Sequence, residues 1–362
     1  MKKIDLFRVA MGKNAGMEVA GTLNSGYIGE GPQVAEFERR LSNGIGKPTL
    51  CVNSGTTALT LAYHLYKDLP GTEVLSTPLT CLATNLPLKT MGFKVKWIDI
   101  DPQTLNVSVE DLRRKISPQT KFIVVVHLGG TPCDLNAIRG VQDECYRLYG
   151  NRPPIIEDAA QAFASVYDNK VIGTHGNIVC YSFQAIKHLT TSDGGAMTIP
   201  DPHLYERTRL LRWFGLDRTK SDSMRCLQIV HEAGYKNHMT DVAATIGMCN
   251  LPLALENIEK TRANAAFYDA AGLPAFDHKG SSFWLYTIKV ANKDSFKQRM
   301  EAAGITVSEV QMRNDHQPCF KDFWSPLPGL DSIADQYISI PVGWWLTRED
   351  TEYIVKKVKE SI

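Results

Sequence analysis

A chain of 362 residues is long enough for one large domain and a smaller one, and 43% hydrophobic with 22% charged residues is the balance of a soluble globular protein. Forty basic against 39 acidic residues leave a net charge of +1, which gives no electrostatic case for nucleic acid or an anionic membrane as partner. No apolar run reaches the roughly 18 residues of a membrane helix, and the start, MKKIDLFRVAMGKN, lacks the apolar stretch of a secretory leader, so none is expected.

In chain order, QVAEFERRLSNGI (33–45) has the apolar spacing of an amphipathic helix. TLCV, the small-residue turn NSGTTA and the helical pattern ALTLAYHLY then give strand, turn and helix. TEVLSTPL (72–79) and VKWIDID (95–101) read as further strands, and KFIVVVHLGG (121–130) is a β-branched run of the kind buried on both faces of a sheet. PPIIEDAAQAF (153–163) is a strand leading into a helix, and NIVCYSF (177–183) and GGAMTIP (194–200) are strands. The texture changes after about residue 250: LPLALENIEKTRANAAFYDAA reads as a long helix, SFWLYTIKV as a strand, DSFKQRMEAAG as a helix closed by a glycine, and ITVSEV as a strand. Strands alternating with helices predict an α/β protein with a mostly parallel sheet covered on both sides, and a smaller α/β domain follows, with 1–250 as the large domain and 251–362 as the small one.

The eight cysteines, Cys51, Cys81, Cys133, Cys145, Cys180, Cys226, Cys249 and Cys319, form no CxxC pair and are scattered through apolar stretches. They read as reduced core thiols of a cytoplasmic protein, with neither a disulfide framework nor a metal site expected.

Ligands of such sheets bind at the carboxyl ends of the strands, and NSGTT, EDAAQ and SFQAIK all follow strand ends, so the three segments should line one cleft. In the first, Gly55 permits close backbone approach, and Thr56 and Thr57 present amides and hydroxyls at a helix N-terminus, which suits an anion. Alone, the segment reads as an ordinary N-cap with nothing bound. In the second, Asp158 ends an apolar strand; it is either a helix cap or a partner for a protonated ring nitrogen, with Gln161 one helical turn on. In the third, Lys187 lies between IVCYSFQAI and HLTTSDGG, a setting for a partly buried amine of lowered pKa, and a neutral amine condenses with a carbonyl. A phosphate anchor with Ser182 as a second contact, a carboxylate for a pyridinium and an imine-forming lysine are together the parts of a pyridoxal 5'-phosphate (PLP) site.

IEDAAQAF, GTHGNIVCYSFQAIKHLTTSDGGAM and GYKNHMTDVAATIG closely resemble the DegT-type nucleotide-sugar aminotransferases, of the aspartate aminotransferase fold class (fold type I), and the likeness runs from SGYIGEGPQVAEFE to SIPVGWW. The resemblance implies a seven-stranded, mostly parallel sheet and PLP cycling through pyridoxamine 5'-phosphate. It makes Lys187 the covalent anchor of the cofactor, Asp158 the partner of its ring nitrogen and Gln161 the neighbour of its ring hydroxyl. Gly55, Thr56, Thr57 and Ser182 would hold the phosphate. Lys236 or Asn237 would reach the active site of a second subunit, so a homodimer with sites at the subunit interface is implied.

Some positions depart from the pattern. Cys81 stands where an aromatic residue commonly stacks on the cofactor, His188 where asparagine is common, Asp193 where glutamate is common and Gln311 where histidine is. Tyr27, His188 and Arg313 are candidate substrate contacts, with a packing tyrosine and a surface arginine as the plainer readings of two of them. The implied reaction moves an amino group from glutamate to a nucleotide-linked keto-sugar, at C-4 of a 4-keto-6-deoxyhexose; C-3 amination is the alternative. Related sugar 3-dehydratases have a histidine in place of the lysine, so one residue of register, Lys187 against His188, separates the two chemistries. A non-catalytic relative is a further reading, opposed by the intact Lys187 and Asp158. GEGPQV lacks the third glycine of a dinucleotide-binding turn and follows no strand, which removes a nucleotide-dependent oxidoreductase.

Overall fold

The computed structural model describes residues 3–219 and 227–362. Seven strands form one sheet in the order β1 (Thr49–Val52), β9 (Gly195–Thr198), β8 (Ile178–Ser182), β5 (Ile155–Asp158), β4 (Thr120–Val126), β2 (Glu73–Ser76) and β3 (Lys94–Trp97). β9 runs antiparallel to both its neighbours; the pairs β8–β5, β5–β4, β4–β2 and β2–β3 are parallel. β6 (Val166–Tyr167) and β7 (Lys170–Val171) make a small hairpin beside it.

Side chains along a strand point alternately to opposite faces, and here each set meets its own core. Phe122 and Val124 of β4 join Val52, Trp97, Ile156 and Met197 in one apolar cluster, closed by α3 (Gly55–Leu65) and α4 (Leu82–Thr90). Ile123 and Val125 join Cys51, Leu75, Val179 and Ala196 in another, closed by α2 (Pro32–Ile45), α5 (Val109–Lys115) and α6 (Leu135–Tyr149). The expected sheet with both faces covered is present. A third cluster gathers around the antiparallel pair β10 (Tyr286–Lys289) and β11 (Tyr337–Ile340), with α9 (Lys293–Ala302) and α11 (Arg348–Ser361), and takes in Ile4 from the chain start. Helix α1 (Ala15–Ser25) precedes α2, α7 (Pro202–Leu211) follows β9, and the short α10 (Pro328–Ile333) precedes β11.

Helix α8 (Asp241–Ala270) connects the cores: Ala244 and Ala254 lie in the second cluster, Ala265 and Tyr268 in the third. The expected division at residue 250 falls inside this helix. It begins ten residues earlier than expected, because the Thr240 side chain caps it by accepting from the Ala243 amide and Pro252 is carried within it. Asp241 in turn caps α2: its carboxylate accepts from the amides of Gly31 (2.8 Å), Gln33 (3.2 Å) and Val34 (3.0 Å).

Two strands differ from expectation. Within SFWLYTIKV only Tyr286–Lys289 pairs, since Phe283 sits at φ 55°, outside extended backbone. ITVSEV forms no strand: its backbone is shared between Ile4 and Ser339 through single bridges, and Val310 at φ 63° turns the chain away. Of the cysteines, Cys51, Cys133, Cys145 and Cys180 are buried thiols, Cys249 is half-buried, and Cys81 and Cys319 are exposed, a correction to the core reading for those two. Cys226 lies outside the described residues. No helix among the described residues is long and apolar enough to cross a membrane.

Phe122 is fully buried and its ring meets those of Tyr63, Tyr66 and Phe93. Phe122→Ala is expected to lower stability by about 3–5 kcal/mol, read as a fall in the urea unfolding midpoint.

Candidate active site

At the carboxyl end of β1 the chain turns into α3, and Ser54 caps the helix by accepting from the Thr57 amide at 3.1 Å. The first amides of the helix have no partner inside it. Gly195 stands in register between Val52 of β1 and Ser182 of β8. A Cβ on Gly195 would stand 2.6 Å from the Ser54 carbonyl carbon, and one on Gly55 would stand 2.7 Å from the Ser182 Cβ. Two missing methyl groups therefore let the turn after β1 abut the start of the loop after β8. The Thr57 hydroxyl is engaged, donating to Asn53 Oδ1 at 2.7 Å, while Thr56 is exposed. Ser182 is half-buried at the same edge.

Two strands further into the sheet, Asp158 ends β5 with 4% of its surface exposed. Its carboxylate accepts from the Thr84 hydroxyl at 2.7 Å and the Ala160 amide at 3.0 Å. Burial pushes its pKa up, against the pull of Thr84, Ala160 and the Lys187 charge. Gln161 is buried, its Oε1 accepting from the Gly129 amide at 2.6 Å, which leaves its NH2 to donate. On the opposite face of β5 Glu157 meets His127 Nε2 at 2.9 Å and Asn177 Nδ2 at 2.7 Å. Because the Cys133 amide donates to His127 Nδ1, that imidazole is neutral and gives its Nε2–H to Glu157.

Lys187 is half-buried in the loop after β8, and burial pulls its pKa down to about 8 while Asp158 and, less, Cys81 pull it up. Its Nζ lies 3.8 Å from the centroid of the Trp284 ring. Cys81, exposed before α4, is thus near the amine. His188 Nε2 is buried without a partner, and burial pushes the imidazole down to about 4. The residue as a whole is half-buried beside Lys187.

The structure thus gathers Gly55, Thr57, Ser182, Asp158, Lys187 and Cys81 at the carboxyl ends of β1, β8 and β5 and the start of α4. Lys236 is exposed, and the Asn237 carbonyl accepts from the Asn53 amide at 3.0 Å, so this segment runs along the outer side of the turn after β1. Tyr27 is 66% exposed in the loop between α1 and α2, and no hydrogen bond or ring contact joins it to Lys187 among the described residues. Arg313 also departs from its expected role. Its guanidinium forks onto Asp315 at 2.9 and 2.7 Å and reaches Asp331 at 2.6 Å, so it ties the loop after α9 to α10. Thr84 and Trp284 went unread in the sequence. Thr84 lies only five residues beyond the TEVLSTPL run, and Trp284 lies within SFWLYTIKV, whose composition is a strand's.

The sequence profile of the DegT/DnrJ/EryC1/StrS aminotransferase family matches residues 10–359. The chain belongs to that family. Among solved structures it is similar to AtS13 from Actinomadura melliaura (44% identity, 100% of both chains, TM-score 0.97) and to the sugar aminotransferase CalS13 from Micromonospora echinospora (42%, 99% of both chains, TM-score 0.94). It is also 31% identical over 325 residues, 84% of this chain and 83% of that one, to the dTDP-4-dehydro-2,3,6-trideoxy-D-glucose 4-aminotransferase of Saccharopolyspora spinosa. The protein is a sugar aminotransferase, a transaminase that uses PLP, and the related Spr1654 from Streptococcus pneumoniae is known in PLP and PMP forms, at 25% and 26% identity.

The residues fit that cofactor. The cradle between Gly55 and Ser182 would be filled by a single methyl group and opens onto helix-end amides, a setting for a phosphate. A buried carboxylate whose pKa is pushed up by desolvation is suited to a cationic ring nitrogen. Gly55→Ala is expected to weaken PLP binding by about 5- to 150-fold, from an overpacking cost of about 1–3 kcal/mol at the cradle. Titration of the cofactor absorbance checks this.

Proposed function

We propose that this aminotransferase moves an amino group from glutamate to C-4 of a nucleotide-linked 4-keto-6-deoxyhexose, giving a nucleotide-linked amino-deoxy sugar. The observation that carries the transaminase reading over the dehydratase one is the placement of Lys187. Its amine, not the His188 ring, shares the cleft with Asp158, while His188 Nε2 is enclosed. The preference for C-4 over C-3 rests on the likeness to the Saccharopolyspora spinosa protein named a 4-aminotransferase.

In this reading Lys187 anchors the cofactor, Asp158 pairs with its ring nitrogen and Gln161 donates to its ring hydroxyl. Gly55, Thr56, Thr57 and Ser182 hold its phosphate, and Cys81 lies beside it. When bound, PLP supplies an electron sink that stabilises the negative charge left as a proton departs from carbon. Lys187 then takes the proton from the α-carbon of the donor and, in the reverse half, delivers one to the sugar carbon. An amine titrating at about 8 is suited to both duties, since neither form is scarce near neutral pH. Asp158, kept from water, stays in place to balance the ring's positive charge.

We further propose a homodimer in the cytoplasm, with Lys236 or Asn237 of one subunit completing the phosphate site of the other; the exposure of Lys236 beside the turn after β1 supports this. Tyr27, exposed in the loop between α1 and α2, remains a proposed substrate contact.

Borohydride treatment of the PLP-loaded protein should leave a cofactor adduct on the peptide containing Lys187, located by mass spectrometry, and Lys187→Ala should abolish it. Assayed with glutamate against a panel of nucleotide 4-keto and 3-keto sugars, the wild type should aminate the 4-keto members. Amination confined to 3-keto sugars would move the assignment to C-3, and dehydration without amination would overturn it.

A further inference from the structure

Lysine is a flexible, strongly hydrated point charge on a four-carbon stem. Left to itself beside an open cleft, its amine swings to water, so something must keep it in place whenever it is not covalently engaged. Asp158 supplies attraction, but its carboxylate is already committed to Thr84 and Ala160. The Lys187 nitrogen lies over the face of Trp284, 3.8 Å from Nζ to the ring centroid, well inside the roughly 6 Å over which an aromatic face attracts a cation.

That ring is fixed from three sides. Its indole N–H donates at 3.0 Å to the carbonyl of Ile186, the residue immediately before Lys187. Phe7, from the chain start, stacks against it with centroids 5.0 Å apart and planes inclined by 26°. Phe283, just before it, holds φ at 55°, a backbone setting costly for a bulky residue, which persists only where the surroundings enforce it. Trp284 itself is 6% exposed. The hydrogen bond is the telling element, because it registers the ring to the backbone of the loop that carries the amine.

We propose that Trp284 is the positioning residue for the free Lys187 amine, its indole face seating the ammonium in the cleft while Ile186 and Phe7 hold the ring in register. The inference rests on the reading of Lys187 as the reactive amine. The quadrupole of the ring favours only the charged form, so the seat retains the lysine while it carries a proton and loosens its hold once the proton has gone. The other groups facing the amine are Asp158 and Cys81, which also favour the charged form, and the neutral His188, with Arg262 beyond it. Burial by the surrounding walls opposes all of these.

The test is a titration of Lys187 in the full-length, cofactor-free protein. Competitive acetylation with acetic anhydride across a pH series, with mass spectrometry of the Lys187 peptide, follows the neutral amine and should give a wild-type midpoint of about 8. Trp284→Leu keeps an apolar wall and removes the aromatic face. Its midpoint should fall by about 0.4 to 1.5 pH units, the span expected from the worth of a cation–aromatic contact. Trp284→Phe should recover most of the shift, and Phe7→Leu, which frees the ring, should show a smaller fall. A Trp284→Leu midpoint that stays at the wild-type value or rises, in a protein of unchanged circular dichroism, overturns the proposal. If Trp284→Leu does not fold, Trp284→Met takes its place, and a midpoint there that stays at the wild-type value or rises does the same. The readout needs neither cofactor nor sugar. A failure of the amination assay with the titration as expected therefore counts against the proposed reaction alone, and the converse counts against Trp284 alone.

Discussion

Asp158 carries its carboxylate to a place where 4% of its surface meets water, and removing an ionised carboxylate from water costs several kcal/mol even after the protein relaxes around it. Compensation for that cost reaches far beyond its immediate neighbours. The Thr84 hydroxyl that donates to Asp158 is itself 2.8 Å from the Thr80 hydroxyl, and the Thr80 carbonyl accepts from Asn314 Nδ2 at 2.8 Å. Asn85 closes the ring by donating to Asn314 Oδ1 at 2.9 Å. A loop that follows α9 by some ten residues is thus bound into the polar scaffold under one buried charge. Arg313 and Asp315, on either side of Asn314, keep that loop in shape.

The strand ends meet because side chains are absent where they would obstruct. With β9 inserted antiparallel between two strands of like direction, the turn after β1 and the loop after β8 lie a full strand apart, and glycine at 195 and at 55 closes the gap. The strict alternation of β4 between two apolar clusters then makes the sheet rigid enough for such spacings to hold. Polar groups at the ends of these strands inherit their positions from that packing.

Most of the sheet was legible because its strands are short, apolar and followed by small residues: TLCV, KFIVVV, PPIIED and NIVCYS all pair as read. So was the meeting of NSGTT, EDAAQ and SFQAIK, which follows from the general rule for parallel sheets. What escaped depended on contacts between distant residues. Thr240 and Asp241 do form a helix start, a capping hydroxyl with an acid in the first turn, but Pro252 imitates a later one. ITVSEV has a strand's composition, yet its hydrogen bonds are divided between Ile4 and Ser339. Trp284 matters through a nitrogen 97 residues before it in the chain, so its role has no local signature.

The capping of α2 by Asp241 sets an order on how this chain matures. The three amides that Asp241 satisfies lie 207 to 210 residues before it, so a nascent chain leaving the ribosome carries α2 with an unfinished first turn for most of its synthesis. Native contacts spanning such separations close late and slowly. The apolar stripe of Val34, Phe37 and Leu41 is meanwhile uncovered by Ala244 and Ala254, which share its core in the finished molecule. Two-thirds of the polypeptide must exist before its second helix is fully native.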